Sequence, residues 1–116
     1  MNPARPASGT LLAKLDDIPD GEAHVFDFRA GPAIWSVILA RRDGHVFAYE
    51  NECPHAGHPL ERPDGRVLMQ EGRYLVCSAH GASFTVDDGE CAGGPCGGDP
   101  LTAVAVVVAD GEVRMG

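Results

Sequence analysis

The sequence predicts an all-β protein, a small antiparallel sandwich or barrel of eight to ten short strands. Short runs of apolar, β-branched and aromatic residues alternate with turn-forming residues along most of the chain. Five Asp-Gly pairs occur at intervals of 21 to 24 residues, as expected if one hairpin follows another. No stretch keeps a 3.6-residue apolar period over three turns with recognisable caps, which argues against helices.

The first half of the chain begins with residues 1–10, which are rich in Pro, Ala, Ser and Gly and predict a loose tail. Leu11–Leu15 begins either a strand or a short helical turn, and the pattern does not separate the two. The strongest strand candidate is Ile34–Ala40. Asp43-Gly44 then predicts a hairpin that joins this run to Val46–Tyr49.

The second half continues the pattern of strands and turns. Turns are marked by Pro63-Asp64-Gly65, Gln70-Glu71-Gly72 and Asp110-Gly111. Ala103–Ala109 is a nearly continuous apolar run and predicts one strand. In chain order, the predicted strands are His24–Phe28, Ile34–Ala40, Val46–Tyr49, Arg66–Met69, Arg73–Cys77, Ala82–Val86, Ala103–Ala109 and Glu112–Met115.

Length and composition limit the classes of protein to consider. A chain of 116 residues with 44% apolar residues predicts one globular domain. Seventeen acidic residues against nine basic ones give a net charge of −8, which argues against a nucleic-acid partner. The same charge suits a positively charged protein partner, although ordinary solubility explains it equally well.

Hydropathy and cysteine usage predict a cytoplasmic protein. No apolar run approaches the roughly 18 residues that a membrane span requires. Residues 1–6 lack the apolar core of a secretory signal. In such a chain, four cysteines indicate metal ligands and thiols more than disulfides, so we expect Cys91 and Cys96 to be reduced. A secreted disulfide module is the formal alternative.

Two short segments each combine one thiol with one imidazole. They are Cys53-Pro54-His55 and Cys77-Ser78-Ala79-His80, with 21 residues between them. Zinc sites usually group like with like, as Cys-x2-4-Cys and His-x3-5-His, although a structural zinc module remains an alternative. The mixed segments fit a centre with two different irons, because one iron then takes both thiolates and the other takes both imidazoles. This is the Rieske [2Fe–2S] arrangement.

The residues around these segments resemble the motif of Rieske-type ferredoxins. Residues 53–60, CPHAGHPL, are similar to its first half, and residues 77–84, CSAHGASF, are similar to its second half. A glycine turn at Gly89, then Gly94-Pro95, follow as they do in that family. The resemblance extends over about residues 10–115.

This resemblance implies a single Rieske domain over residues 1–116, with a cluster-binding insert at about residues 51–98. Cys53 and Cys77 would hold the inner iron of a [2Fe–2S] cluster, and His55 and His80 would hold the outer iron. The imidazole side would face solvent. Gly94-Pro95 would cover the open side of the two loops.

The family resemblance also implies a function. The chain would be a one-electron carrier rather than an enzyme, passing electrons from a flavin-dependent ferredoxin reductase to a terminal oxygenase that docks near His55 and His80. The alternative is a small Rieske-like subunit of a multi-subunit reductase such as nitrite reductase. Many such subunits lack the ligands, whereas this sequence has all four.

The chain departs from the family pattern at four informative positions. Respiratory Rieske proteins join their two loops by a disulfide, but His58 and Ala79 occupy the corresponding positions here. High-potential members place Ser and Tyr hydroxyls near the cluster, where this chain has Ala82 and Phe84. Without those donors, we expect a reduction potential near the low end of the Rieske range, on the order of −150 mV.

Overall fold

Ten β-strands and one 3₁₀ turn form the regular structure of the described part of the chain, residues 2–54, 57–96 and 98–116 of a computed structural model. The predicted all-β class is confirmed. The elements are β1 (Leu11–Lys14), the 3₁₀ turn (Leu15–Asp17), β2 (Ala23–Ala30), β3 (Ala33–Arg42), β4 (His45–Glu50), β5 (Arg66–Gln70), β6 (Tyr74–Val76), β7 (Ser83–Thr85), β8 (Cys91–Gly93), β9 (Val106–Ala109) and β10 (Glu112–Met115).

The strands form two antiparallel sheets. One has the order β1-β10-β9, and the other has the order β4-β3-β2-β5-β6-β7-β8. Strands β2 and β3 pair along their length, from Ala23↔Ala40 to Ala30↔Ala33. Strand β5 joins β2 at two positions only, Ala23↔Val67 and His24↔Arg66. The long sheet therefore has a narrow connection between the regular β2–β4 part and the shorter strands β5–β8.

Two of the Asp-Gly pairs form the predicted two-residue hairpin turns. Asp43 and Gly44 have φ angles of 52° and 78°, and Asp110 and Gly111 have φ angles of 54° and 72°. Positive φ at both central residues is the signature of a type I′ turn, whose twist matches that of paired strands. These turns connect β3 to β4 and β9 to β10.

Asp88-Gly89 lies in the longer connection between β7 and its antiparallel partner β8, so it also belongs to a hairpin. The prediction of a hairpin is wrong for the other two Asp-Gly pairs. Asp20-Gly21 lies between β1 and β2, which belong to different sheets. Asp64-Gly65 precedes β5 and follows a segment without a strand, where Gly65 N–H donates to the Arg62 carbonyl at 2.9 Å. An Asp-Gly pair specifies a local turn, but it does not specify which strands meet.

Strand β3 separates two hydrophobic cores. Successive side chains of a strand point to opposite faces. Trp35, Val37 and Leu39 therefore enter one core, and Ile38 and Ala40 enter the other. The base core contains Ala4, Leu12, Ala13, Ile18, Trp35, Val37, Leu39, Ala48, Val104, Val113 and Met115. The loop core contains Ala23, Ile38, Ala40, Tyr49, Cys53, Leu60, Val67, Leu75, Cys77, Ala82, Phe84, Val86, Cys96 and Leu101.

The N-terminal segment differs from its prediction as a loose tail. Ala4 is buried in the base core, and Asn2 donates its side-chain amide to the Ile34 carbonyl at 2.8 Å. Gly9 N–H donates to the Met115 carbonyl at 2.9 Å. These contacts bridge the termini of several strands, which composition alone does not reveal. The ambiguous residues that follow form both predicted structures, first β1 and then the 3₁₀ turn.

The apolar run Ala103–Ala109 was predicted to form one strand, and this prediction is wrong. Its first residues contact β4 of the long sheet, and its last residues pair with β10 of the short sheet. Ala103 forms an isolated bridge with Tyr49, and Val104 N–H donates to the Ala48 carbonyl at 2.9 Å. Only Val106–Ala109 pairs with β10. No helix in the three described ranges is long and apolar enough to span a membrane.

Candidate metal centre

The first cysteine lies in the long connection between β4 and β5. Cys53 is buried, with 1% of its surface exposed. Its N–H donates to the His58 carbonyl at 2.8 Å, and the N–H of Gly57 donates back to the Cys53 carbonyl at 2.7 Å. Gly57 has a φ of 71°, a left-handed conformation that favours glycine. These two bonds hold Gly57 and His58 against the backbone of Cys53.

The second cysteine lies in an equivalent loop between β6 and β7. Cys77 is also 1% exposed. Its N–H donates to the Ala82 carbonyl at 2.8 Å, and Gly81 N–H donates to the Cys77 carbonyl at 3.0 Å. Gly81 has a φ of 75°. Both loops therefore share one scheme, in which the cysteine bonds five residues ahead and a glycine four residues ahead bonds back.

The shared scheme is a feature that the sequence analysis missed. The signal that could have found it is a glycine four residues after each cysteine, at Gly57 and Gly81. The histidine positions differ, since His55 is two residues after Cys53 and His80 is three residues after Cys77. The different spacing of the predicted ligands concealed the similarity of the two backbones.

The two loops lie side by side. Ser78 N–H donates to the Leu60 carbonyl at 3.2 Å, and the Ser78 hydroxyl donates to the Glu61 carbonyl at 2.8 Å. At their tips, the imidazole rings of His58 and His80 lie with their centroids 5.6 Å apart. Both histidines are exposed, whereas Cys53 and Cys77 are buried in the same loop core. The cysteine sulfurs thus lie in the protein interior, and the two imidazole rings lie at the surface.

Asn51 fixes the start of the first loop, and sequence analysis did not identify it. Its side-chain amide donates to the Ser36 hydroxyl and to a Glu61 carboxylate oxygen, each at 3.0 Å. Its side-chain oxygen accepts the N–H of Leu60 at 2.8 Å. One residue at the end of β4 therefore holds both ends of the segment that contains Cys53. An asparagine beside a turn has no distinctive sequence signal.

Tyr49 anchors the connection that follows the second loop. Its buried hydroxyl donates to the Val86 carbonyl at 2.6 Å. Burial raises the pKa of Tyr49 to about 12, and the negative charges of Asp88 and Asp87 act in the same direction. The phenol is therefore protonated at neutral pH and remains a donor. This bond ties β4, which precedes the first loop, to the end of β7.

A third segment packs against the second loop. A Cβ built on Gly94 would lie 2.8 Å from the Gly81 carbonyl oxygen and 2.9 Å from the Ala82 Cα. Only a glycine fits so close to that backbone. The segment Gly94-Pro95 was predicted to cover the open side of both loops; the structure shows the contact of Gly94 with the second loop.

Comparison with protein families decides what this arrangement is. The family model described as the Rieske [2Fe-2S] domain matches residues 9–109. The chain belongs to the Rieske [2Fe–2S] domain family. A Rieske centre binds two cysteines on one iron and two histidines on the other.

Individual relatives of this Rieske domain are ferredoxins. The chain is 34% identical over 79 residues to a protein of Xanthobacter autotrophicus described as the ferredoxin component of an alkene monooxygenase system. That match covers 68% of this chain but only 58% of the relative, so the chain spans little more than half of that protein's length.

Two solved ferredoxin structures are similar over nearly their full length. One is the ferredoxin of carbazole 1,9a-dioxygenase from Nocardioides aromaticivorans, with a TM-score of 0.73 and 26% identity. Alignment covers 95% of this chain and 98% of that one. The other is a ferredoxin of Sphingomonas yanoikuyae, with a TM-score of 0.71, 29% identity and coverage of 92% and 96%.

The residues of this Rieske domain fit the cluster that its family carries. Buried Cys53 and Cys77 would supply two sulfur donors at the closed end of the paired loops, and exposed His80 would supply a nitrogen donor at the open end. His55 lies outside the described residues. Among the described residues, no three His, Cys, Asp or Glu side chains lie close enough together to bind one metal ion. Each iron of a Rieske centre needs only two protein ligands.

The prediction that Cys91 and Cys96 are reduced is wrong in this structure, where they form a disulfide. The two Cα atoms lie 6.0 Å apart, within the range that a disulfide spans. The turn at Gly94 brings the two cysteines together. Their separation of five positions in the sequence does not by itself predict this proximity. Cys96 is therefore one half of a disulfide and not a free thiol.

Proposed function

We propose that this Rieske domain is a one-electron carrier that takes electrons from a flavin-dependent reductase and delivers them to a terminal oxygenase. The observation that supports this most directly is the inside-outside arrangement of the paired loops. Cys53 and Cys77 are 1% exposed, and His80 is exposed at the tip. A redox centre held this way is shielded from water on one side and reachable by a partner on the other.

The proposed ligands are Cys53 and Cys77 for the inner iron and His55 and His80 for the outer iron. The equivalent hydrogen-bonded loops support the pairing of the cysteines, because each presents its cysteine from the same backbone geometry. His58 is the other described imidazole at the tip, 5.6 Å from His80. We propose that it is a rim residue of the docking surface and not a ligand.

The bound cluster would supply reversible storage of one electron. The chain's own residues set how readily it does so. Ala82 and Phe84, at the positions where high-potential Rieske proteins carry hydroxyl donors, are fully buried and have no hydroxyl. Donors to cluster sulfurs raise the potential, so we propose a potential near the low end of the range, on the order of −150 mV.

The charge of the chain supports a basic partner surface. A net charge of −8 on 116 residues attracts a positively charged docking face and accelerates encounter at low ionic strength. Electron transfer to a partner should therefore slow as salt is added, and a partner lacking basic residues would contradict this part of the proposal. The proposed compartment is the cytoplasm, which fractionation of cells with immunodetection would test.

Spectroscopy and metal analysis test the proposed centre. The protein should contain two irons and two acid-labile sulfides per chain, and the reduced protein should give an electron paramagnetic resonance spectrum with a lower average g value than an all-cysteine cluster. One zinc per chain without sulfide would overturn the assignment.

A matched pair of variants tests the ligands. His80→Ala should abolish the visible spectrum of the cluster, whereas His58→Ala should retain it, although both imidazoles are exposed and adjacent. Loss of the spectrum in both variants would place His58 in the ligand set. Retention in both would remove His80 from it.

Reconstitution tests the carrier role. A flavin-dependent reductase should reduce the protein, and the reduced protein should then support turnover of an oxygenase component. A chain that the reductase cannot reduce, or that co-purifies as a tight subunit of a larger reductase, would contradict the role of a mobile carrier. The cluster analysis above would remain valid in either outcome.

A further inference from the structure

The segment that packs over the second loop has little regular structure to hold it. Strand β8 lies at the edge of the long sheet and contains only Cys91–Gly93. It pairs with β7 alone, at Ser83↔Gly93 and Phe84↔Cys91, with an irregularity between the two pairs. Four of the eight residues at positions 91–98 are glycine. Glycine has the largest backbone freedom to lose, so this segment is costly to order.

This weakly held segment positions the loop of the proposed ligand His80. Gly94 lies against the backbone of Gly81 and Ala82, close enough that an added Cβ would come within 3.0 Å of both. Ser83 pairs with Gly93 in the adjoining ladder. The residues directly after His80 are therefore supported from one side by the glycine-rich segment. If that segment moved away, the second loop would lose this support.

The disulfide between Cys91 and Cys96 closes this segment at its two ends. Cys96 is 1% exposed and belongs to the same loop core as Cys53 and Cys77. Cys91 is partly exposed and packs against that core. A cross-link of this kind restricts the conformations open to the enclosed residues. It offsets the freedom of Gly93 and Gly94 without needing a longer strand.

We propose that the Cys91–Cys96 disulfide is a redox-sensitive clasp on the metal centre. In the oxidised form it holds Gly94 against the second loop, and its reduction releases the segment and accelerates loss of the bound cluster. This inference rests on the proposed ligand set, because it assigns the second loop to the centre. The residues that act are Cys91 and Cys96, neither of which is a proposed ligand.

The chemistry requires a two-electron reductant, and a dithiol protein is the class we propose. One of its thiolates attacks the partly exposed Cys91 sulfur and breaks the Cys91–Cys96 bond, with Cys96 as the leaving group. The second thiol then displaces Cys91 from the mixed disulfide. The dithiol is oxidised to a disulfide, and Cys91 and Cys96 gain two electrons and two protons. The released Cys96 thiol has an acceptor ready, since its sulfur lies 3.3 Å from the Gly93 carbonyl oxygen.

The proposed compartment gives this clasp a physiological meaning. Disulfides in reducing compartments are mostly transient and serve catalysis or redox sensing. A disulfide that closes a short, partly exposed loop, and that does not join distant parts of the chain, fits such a role. The clasp would link retention of the cluster to the thiol-disulfide balance of the cell.

Iron release from the intact protein tests the proposal. The cluster-loaded protein is treated with a water-soluble phosphine, which is oxidised to its oxide as the disulfide is reduced, and alkylation with mass spectrometry counts the thiols. Transfer of iron to a chelator should then become faster, on the order of ten-fold. The double variant Cys91→Ala/Cys96→Ala is the control, and it should release iron at the faster rate with or without phosphine.

Two outcomes of that experiment overturn the clasp. One is an unchanged rate of iron release in wild-type protein whose two additional thiols have been counted. The other is an equal acceleration by phosphine in the double variant, which would show that the phosphine acts on the cluster itself. The clasp would also be overturned if the disulfide did not form in thiol-disulfide buffers that cover the range of physiological reduction potentials.

Hydrogen exchange separates failure of the clasp from failure of the proposed function. Reduction should increase amide exchange in residues 81–86 and 93–96 while leaving β2 and β3 unchanged. If the protein holds no [2Fe–2S] cluster, the proposed function fails, and this exchange pattern still reports whether the disulfide restrains the second loop. If the cluster is present but reduction changes neither exchange nor iron release, the clasp alone fails.

Discussion

The two ends of the molecule are held together by different means. Around the base core, long strands pair in register, and the interior is filled by Trp35, Val37 and Leu39 of β3 together with residues from other strands. Around the loop core, β6, β7 and β8 have three residues each, and two of the buried side chains are Cys53 and Cys77. The base has continuous ladders, whereas the other end has loops.

This difference shows where each end obtains its stability. Regular ladders satisfy backbone groups locally, and burial of large apolar side chains supplies the driving force at the base. The loops instead depend on individual ties, namely the side chains of Asn51 and Ser78, the close packing of Gly94 and the disulfide. A bound cluster would add four more ties at that end alone. The stability of the base should therefore not depend on the metal, whereas the stability of the loops should.

Removal of the metal should produce the largest asymmetry. After iron is stripped by a chelator, amides of residues 57–60 and 77–86 should exchange faster by roughly a thousand-fold, because they lose the proposed ligand bonds. Amides in β2, β3 and β10 should keep their protection, which hydrogen exchange with mass spectrometry measures at peptide resolution. Equal loss at both ends would show that the base also depends on the cluster.

Two leucines allow the same comparison by mutation. Leu39 lies in the base core and Leu75 in the loop core, and both are fully buried. Leu39→Ala and Leu75→Ala should each lower the free energy of unfolding by about 3 kcal/mol, since each removes three carbons from a packed interior. Denaturant titration measures that loss. Only Leu75→Ala should also accelerate iron release, and acceleration by both would remove the distinction between the cores.

Sequence patterns predicted local hairpins better than contacts between distant parts of the chain. The run Ile34–Ala40 and the Asp43-Gly44 turn gave the β3–β4 hairpin because both signals are local. The contacts of residues 2–10 with the sheet and the division of Ala103–Ala109 between two partners were not predictable in this way. Each depends on which distant strand lies alongside, and hydrophobic periodicity contains no such information.

At the candidate site, the sequence predicted the type of metal centre, but it predicted only some of the contacts between the surrounding residues. The thiol and imidazole pairs indicated the type of centre, and the structure buries Cys53 and Cys77 together while it exposes His80. Cys91 and Cys96 were expected to be reduced because the sequence predicts a cytoplasmic protein. The distance between the two residues, which decides whether they can form a disulfide, was not known from the sequence. The hydrogen bonds of Asn51 were not foreseen, since they bring together groups from β3 and from the first loop.

Two glycines with the same backbone conformation sharpen the comparison within the loop end. Gly94 has a φ of 73° and no room for a side chain, whereas Gly98 has a φ of 82° and open space around it. Both Gly→Ala variants bear the strain of a left-handed alanine, but only Gly94→Ala must displace the second loop. Gly94→Ala should therefore cost roughly 2 kcal/mol more in unfolding free energy, measured by denaturant titration.

The same pair tests how the covering segment affects the metal. Gly94→Ala should release iron faster than wild type, and Gly98→Ala should release it at the wild-type rate. Equal effects of the two substitutions on stability and on iron release would show that backbone strain, and not packing against Gly81, accounts for the loss.

The smallest expected effect concerns the bond that ties the two ends together through β4. Tyr49→Phe removes the donor to the Val86 carbonyl and should lower the free energy of unfolding by about 1 kcal/mol at neutral pH. Tyr74→Phe is the control, because Tyr74 is only partly buried and lies on the surface of β6, where the Arg73 guanidinium is 5.8 Å from its ring centroid.

The pH dependence distinguishes a buried hydroxyl from a merely well-packed ring. Folding raises the pKa of Tyr49 from its ordinary value of 10.0 to about 12, chiefly by burial. Between these values the unfolded chain has lost the phenolic proton while the folded chain retains it. Stability is therefore unaffected below pH 10 and falls as pH rises towards 12, by at most about 1.4 kcal/mol per pH unit. Tyr49→Phe should flatten this alkaline decline, and an unchanged decline would assign it to other groups.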